Sequence, residues 1–178
     1  MLNSKKILAL AILSATLLSS PTQAQTQASC TTYLATNPNP TGIPTVSGPG
    51  VAQRTALLAA GGKLAAIGIG SNSRYYTVSI PSAFYTASKP VVVFDLHGTG
   101  GYPEAEWNDW HTALASRGYA FIGLAWGGGT PSAATDTEIY AAFKQIVQEV
   151  GVSCPLAGAT KWLMGFSVGS AMSFAVMI

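Results

Sequence analysis

The chain has 178 residues, only 9% of them charged, and a net charge of +2. Lys and Arg are scattered, so there is neither the basic stripe of a nucleic-acid binder nor the acidic tail of a protein that works through a charged partner. Hydrophobic residues reach 48%, yet no apolar run approaches the roughly 20 residues that a membrane-spanning helix needs, so no membrane span is expected.

The first segment carries Lys5 and Lys6, then an apolar run over residues 7–18, then the small and polar residues Ser19, Ser20, Pro21, Thr22, Gln23 and Ala24. This order predicts a signal peptide over residues 1–24, cut after Ala24, and hence a secreted or periplasmic protein. About 154 residues remain, enough for one modest domain and few for an α/β enzyme. The two cysteines, Cys30 and Cys154, would meet an oxidising compartment, where a disulfide is allowed. For Cys30 the alternative is lipidation, because Ala28 and Ser29 are small residues ahead of a Cys, although Gln27 stands where an anchor signal has Leu.

Residues 25–50 are rich in Thr, Pro, Asn and Gly without period and read as a flexible leader or linker. The domain proper is expected over residues 51–178. Residues 51–60 are helix-like and are stopped by Gly61 and Gly62. Residues 64–69 and 74–80, joined by a turn at Ser71, Asn72 and Ser73, predict an antiparallel hairpin. The pattern then alternates: strands at 91–96, 119–126 and 160–164, helices at 107–117 and 136–150, and a further helix from Ser167. Alternation of this kind predicts an α/β fold with a mostly parallel sheet and helices on both faces. The helix over 136–150 has the plainest periodicity, with Thr135 or Asp136 as N-cap and Ile139, Phe143, Ile146, Val147 and Val150 on one stripe.

Gly165-Phe166-Ser167-Val168-Gly169 is a G-x-S-x-G pattern lying between a predicted strand and a predicted helix. A nucleophilic serine must project from a very tight turn, where side chains at Gly165 or Gly169 would collide. Ser167 would also sit at a helix N-terminus, whose N–H groups favour the negative charge that develops in acyl transfer. About 70 residues earlier, His97-Gly98-Thr99-Gly100-Gly101 follows a strand directly, a placement suited to presenting backbone N–H groups to a substrate carbonyl. Ser167 is thus the candidate nucleophile. Gly98, Thr99 and Val168 are the candidate oxyanion-hole donors, and Gly165, Gly169, His97 and Gly100 support the elbow and the loop.

On these two motifs, and on the strand from Arg74 to Pro81, residues 74–178 resemble the α/β-hydrolase superfamily, in particular secreted esterases similar to polyhydroxybutyrate depolymerases and feruloyl or acetylxylan esterases. The resemblance implies hydrolysis of a small or polymeric carboxylic ester by a Ser-His-Asp triad, with no metal and no organic cofactor. In that family the acid and the histidine follow the serine, whereas here no Asp, Glu or His follows Ser167. The expectation is therefore a fold truncated after the nucleophile elbow, inactive by itself. A serine peptidase of the same fold and a non-catalytic truncated relative are the alternatives, and oligomeric state is left open. His97 is expected to be structural, and His111 to lie on a helix away from the chemistry. Asp95 is a charge inside an apolar strand and is expected to be either a strand-end group or one with a polar partner, since burying it unpaired is costly. Gly127, Gly128 and Gly129 lack the Lys-Ser/Thr of a phosphate loop and are expected to form a flexible loop at the rim of the site. Trp107, Trp110 and Trp126 could line an acyl pocket, with packing as the usual use of such residues.

Overall fold

A computed structural model of the protein describes residues 26–177; the expected signal segment and its cut after Ala24 lie outside the described residues. The stretch expected to be a flexible leader instead opens with helix α1, Gln27–Ala35. Thr26 caps it, accepting from the Ser29 N–H at 3.1 Å, while Ser29 Oγ accepts the Thr26 N–H at 3.0 Å. Composition hid this helix because its Thr hydroxyls fold back onto carbonyls four residues earlier, as Thr31 does on Gln27 and Thr32 on Ala28. A nine-residue helix is too short to hold itself in water. What holds it is a disulfide from the buried Cys30 to the buried Cys154, which also removes the thiol that lipidation would need.

Helix α2, Pro49–Ala59, leads into strand β1, Lys63–Ile69, and strand β2, Asn72–Ser79. They pair antiparallel from Lys63 opposite Val78 to Ile69 opposite Asn72, which leaves a two-residue turn at Gly70 and Ser71. The remaining elements are β3, Val91–Leu96, α3, Pro103–Ala115, β4, Tyr119–Leu124, α4, Asp136–Gly151, β5, Thr160–Gly165, and α5, Val168–Met177. The sheet runs β1-β2-β4-β3-β5, with β4, β3 and β5 mutually parallel and β2 antiparallel to β4. Every residue of β3 is buried, as a parallel strand covered on both faces requires. Helix α3 starts at Pro103, earlier than the periodicity predicts, because proline suits the first turn of a helix, where its missing N–H has no partner to lose.

Alternation along the central strands sorts the core into two layers. Phe94, Ile122 and Leu124 pack with the α4 stripe of Ile139, Phe143 and Ile146. On the other face Phe121 and Tyr75 pack with Leu57 of α2 and Trp107 of α3. Each of these large side chains contributes about 1.5–3 kcal/mol by burial. Glu104, fully buried on α3, is matched by Arg54 of α2 at 2.7 Å and by the Tyr75 hydroxyl at 2.9 Å, so α2, α3 and β2 share one charge-assisted contact. Among the described residues no helix is long and apolar enough to cross a membrane.

Candidate active site

β5 ends at Gly165 and α5 begins at Val168, so Phe166 and Ser167 alone make the turn. Ser167 has a φ of +53°, a conformation that side chains avoid, at a cost of about 1–2 kcal/mol. The glycines around it permit the turn. A Cβ on Gly165 would lie 2.3 Å from the Gly169 carbonyl oxygen, and one on Gly169 would lie 1.9 Å from the carbonyl oxygen of Leu96. Both obstacles are backbone and cannot swing aside. Ser167 itself is exposed at the carboxyl end of the parallel strands, where α/β sheets bind their ligands.

Strand pairing brings the second motif alongside. Leu96 pairs with Gly165, and the Phe166 N–H donates to the Leu96 carbonyl at 3.1 Å, so the loop after β3 starts beside the elbow. Gly98 touches it: a Cβ there would lie 3.3 Å from Ser167 Cβ and 3.0 Å from the Phe166 ring. Three peptide groups of the loop are oriented as follows. The His97 carbonyl accepts the Trp126 indole N–H at 3.0 Å, while the Gly98 N–H turns toward the Glu106 carboxylate. The Gly98 carbonyl accepts His97 Nδ1–H at 2.8 Å and the Gly101 N–H at 3.0 Å. The Gly100 N–H donates to the Gly128 carbonyl at 3.3 Å.

The Thr99 N–H is left without an acceptor among the described residues, as is the Val168 N–H at the start of α5. Gly98, the third expected donor, approaches the nucleophile closely, and its N–H has the Glu106 carboxylate as an electrostatic neighbour.

Burial sets the charge states beneath the loop. His97 is 2% exposed, and desolvation lowers its pKa against the raising effect of the Gly98 carbonyl, so at neutral pH it is uncharged and donates through Nδ1. Glu106 has its pKa raised by burial and by Asp109, and lowered by the Gly98 N–H. Asp95 is fully buried on β3, with both oxygens lacking a hydrogen-bond partner; burial first and Glu106 second push its pKa well above the ordinary carboxylate range. The polar partner that a charged Asp95 would need is absent among the described residues, and the raised pKa favours its neutral form.

The other expected residues are placed as follows. His111 is on α3, stacked on Trp107 at 4.2 Å and hydrogen-bonded to the Asn108 carbonyl, in the α2–α3 layer. Trp107 and Trp126 are buried, and Trp110 is exposed on α3. The Gly127–Gly129 loop is not loose at the rim: Arg74 and Thr99 both press on it, and its Gly128 carbonyl holds Gly100. A cleft of about 350 Å³, lined in part by Pro44, Val46, Arg74, His97, Gly101 and Gly127, opens beside the loop but does not include Ser167. An apolar groove of about 530 Å³ between α4 and β5 does not include the serine either. Glu106, Arg74 and the loop contact of Trp126 escaped sequence reasoning, since nothing in their local pattern marks them as neighbours of a glycine loop.

No protein-family model and no curated protein matches the sequence. Solved structures do. A dienelactone hydrolase from Anabaena variabilis aligns with a TM-score of 0.50 at 12% identity, over 65% of this chain and 56% of that one. A cold-adapted esterase from an Arctic intertidal metagenomic library aligns at 0.49 and 16% identity, over 65% and 54%, and an α/β serine hydrolase without lid from Xanthomonas campestris at 0.47 and 19%, over 65% and 55%. The chain thus spans about half the length of these structures. With the strand order above, the likeness shows an α/β-hydrolase-type fold, mostly parallel with helices on both faces.

Proposed function

We propose that this chain carries the nucleophile and the oxyanion hole of an exported serine hydrolase acting on carboxylic esters. The observation that carries the reading is the exposed, left-handed Ser167 flanked by two unengaged backbone donors, Thr99 N–H and Val168 N–H. In the proposed reaction Ser167 Oγ attacks the ester carbon and gives its proton to a general base. The oxyanion is held by Thr99 and Val168, the alcohol leaves with that proton, and water then releases the acid from the acyl-enzyme.

Neither histidine of the sequence suits the base, since His97 is buried with Nδ1 engaged and His111 sits in another layer. The base and the acid that orients it are accordingly proposed to come from outside residues 1–178. Esters are preferred over peptides as substrates because the solved neighbours include a cold-adapted esterase and an acetyl xylan esterase, an argument by analogy of fold.

A fluorophosphonate probe tests the reading: it should label the whole-chain enzyme at Ser167, and Ser167→Ala should abolish labelling and turnover of short acyl nitrophenyl esters. Labelling that persists in the Ala variant, or peptide anilides cleaved in preference to esters, would refute it.

A further inference from the structure

The oxyanion loop contains Gly98, Gly100 and Gly101 within five residues, and Gly100 already has a φ of +65°. Such a chain has many accessible conformations, and an oxyanion donor is useful only if it is aimed before the charge develops. Some other part of the molecule must therefore choose the conformation. The segment after β4 meets the loop at three successive points. The indole of Trp126, 1% exposed and seated in the main core, donates to the His97 carbonyl at 3.0 Å. The Gly128 carbonyl accepts the Gly100 N–H at 3.3 Å. Gly129, with a φ of +77°, lies where a Cβ would be 2.5 Å from Thr99 Cγ2 and 2.7 Å from its Oγ1.

This segment is itself clamped. Arg74 of β2 donates to the carbonyls of Ala125 and Ser132 on either side of it, and a Cβ on Gly127 would lie 2.5 Å from Arg74 Nη1. The path from β2 to the loop is a continuous series of hydrogen bonds and close contacts.

We propose that Trp126 and Gly129 are positioning residues of the oxyanion hole, holding the peptide groups on both sides of Thr99 so that the Thr99 N–H is left pointing free. The proposal rests on the ester-hydrolase reading and adds to it the parts that aim the donor. Trp126 acts on the peptide group before Gly98, Gly128 on the one before Gly100, and Gly129 on the Thr99 side chain between them. All three act on the loop that carries the donor, so their effect falls on stabilisation of the transition state and not on ground-state binding.

The test uses the whole-chain enzyme with a nitrophenyl acyl ester, the parent beside Trp126→Phe and Gly129→Ala. Loss of an entire oxyanion donor typically costs 100-fold or more in kcat, so a donor that is merely released should cost about tenfold. In Trp126→Phe, kcat should fall by about that factor with KM within about twofold, and amide exchange over residues 97–101 should quicken while β3 and β4 keep their protection. Gly129→Ala should also lower kcat, and adding Thr99→Gly, which removes the atoms it would strike and keeps the N–H, should restore part of the loss. The proposal is overturned if both folded variants keep kcat and KM within about twofold of the parent, or if kcat falls only in step with the folded fraction. A parent with no Ser167-dependent turnover would overturn the ester-hydrolase reading itself, a distinct result.

Discussion

Replacing both Cys30 and Cys154 by Ala should destabilise the protein as much as truncating a large core side chain, and the magnitude follows from the chain. The bond closes a loop spanning 124 residues, for which the loop-closure relation gives about 5 kcal/mol at 25 °C. Natural disulfides usually deliver less, about 2–5 kcal/mol, because the unfolded chain keeps some structure. A second reason adds to this: α1 has only Cys30 and Leu34 buried and cannot stand alone at nine residues, so losing the bond loosens the helix, which keeps the Ser29 Oγ contact to the Ser153 carbonyl. At roughly 2–4 °C per kcal/mol, thermal unfolding followed by circular dichroism should shift down by about 10 °C. Amides of residues 27–35 should lose protection before those of the sheet. A shift below about 2 °C, or free thiols at both positions in the intact mass of the untreated protein, would refute the reasoning.

Gly169→Ala should cost at least about 3 kcal/mol by urea unfolding, because its Cβ would lie 1.9 Å from the Leu96 carbonyl oxygen and neither side can yield; a variant as stable as its parent would contradict the elbow geometry. Asp95→Asn should stabilise the protein in a pH-dependent way. The raised pKa means that the folded state keeps a proton which the unfolded chain releases, so this site is least costly below about pH 3.9 and its cost grows as pH climbs toward the folded value. Asn does not ionise, so the variant should melt above its parent at pH 8 and converge with it near pH 3; a difference independent of pH would remove the charge argument.

The parts of this fold that can be read without coordinates are those whose cause is local. Ile139, Phe143, Ile146 and Val150 repeat at helical spacing, and all four are buried on α4. Gly165 and Gly169 flank Ser167 because the turn itself forbids side chains there, a constraint contained in five consecutive residues. What escaped depends on partners distant in the chain. Gly98 and Thr99 are equivalent as donors in sequence, and what distinguishes them, the Glu106 carboxylate acting on the Gly98 N–H, comes from the next helix. Trp126 at the end of an apolar run looks like one more core residue; its indole N–H acquires a purpose when β4 ends at Leu124 and the chain bends back over His97. Gly127 to Gly129 read as a free loop because the guanidinium that holds them comes from β2, some 50 residues earlier in the chain. The helix over Gln27–Ala35 was concealed by composition, and its buried Cys30 is explained only by Cys154.

The pairing of Leu96 with Gly165 has a consequence for the fidelity of folding. Each motif is rigid within itself, yet their relative position is set only by which rung of β3 meets which rung of β5. A slip of one rung would carry Ser167 about 3.3 Å along the strand axis and turn the whole of β5 over, so its apolar face resists that error. A slip of two rungs keeps the faces correct and is resisted less by hydrophobicity, but it displaces the serine by about 6.6 Å from Thr99, well beyond the tolerance of a catalytic hydrogen bond. The glycines of the elbow then act as a ratchet stop: Gly169 fits against the Leu96 carbonyl in a single alignment, and every other rung would set a different stretch of backbone against it.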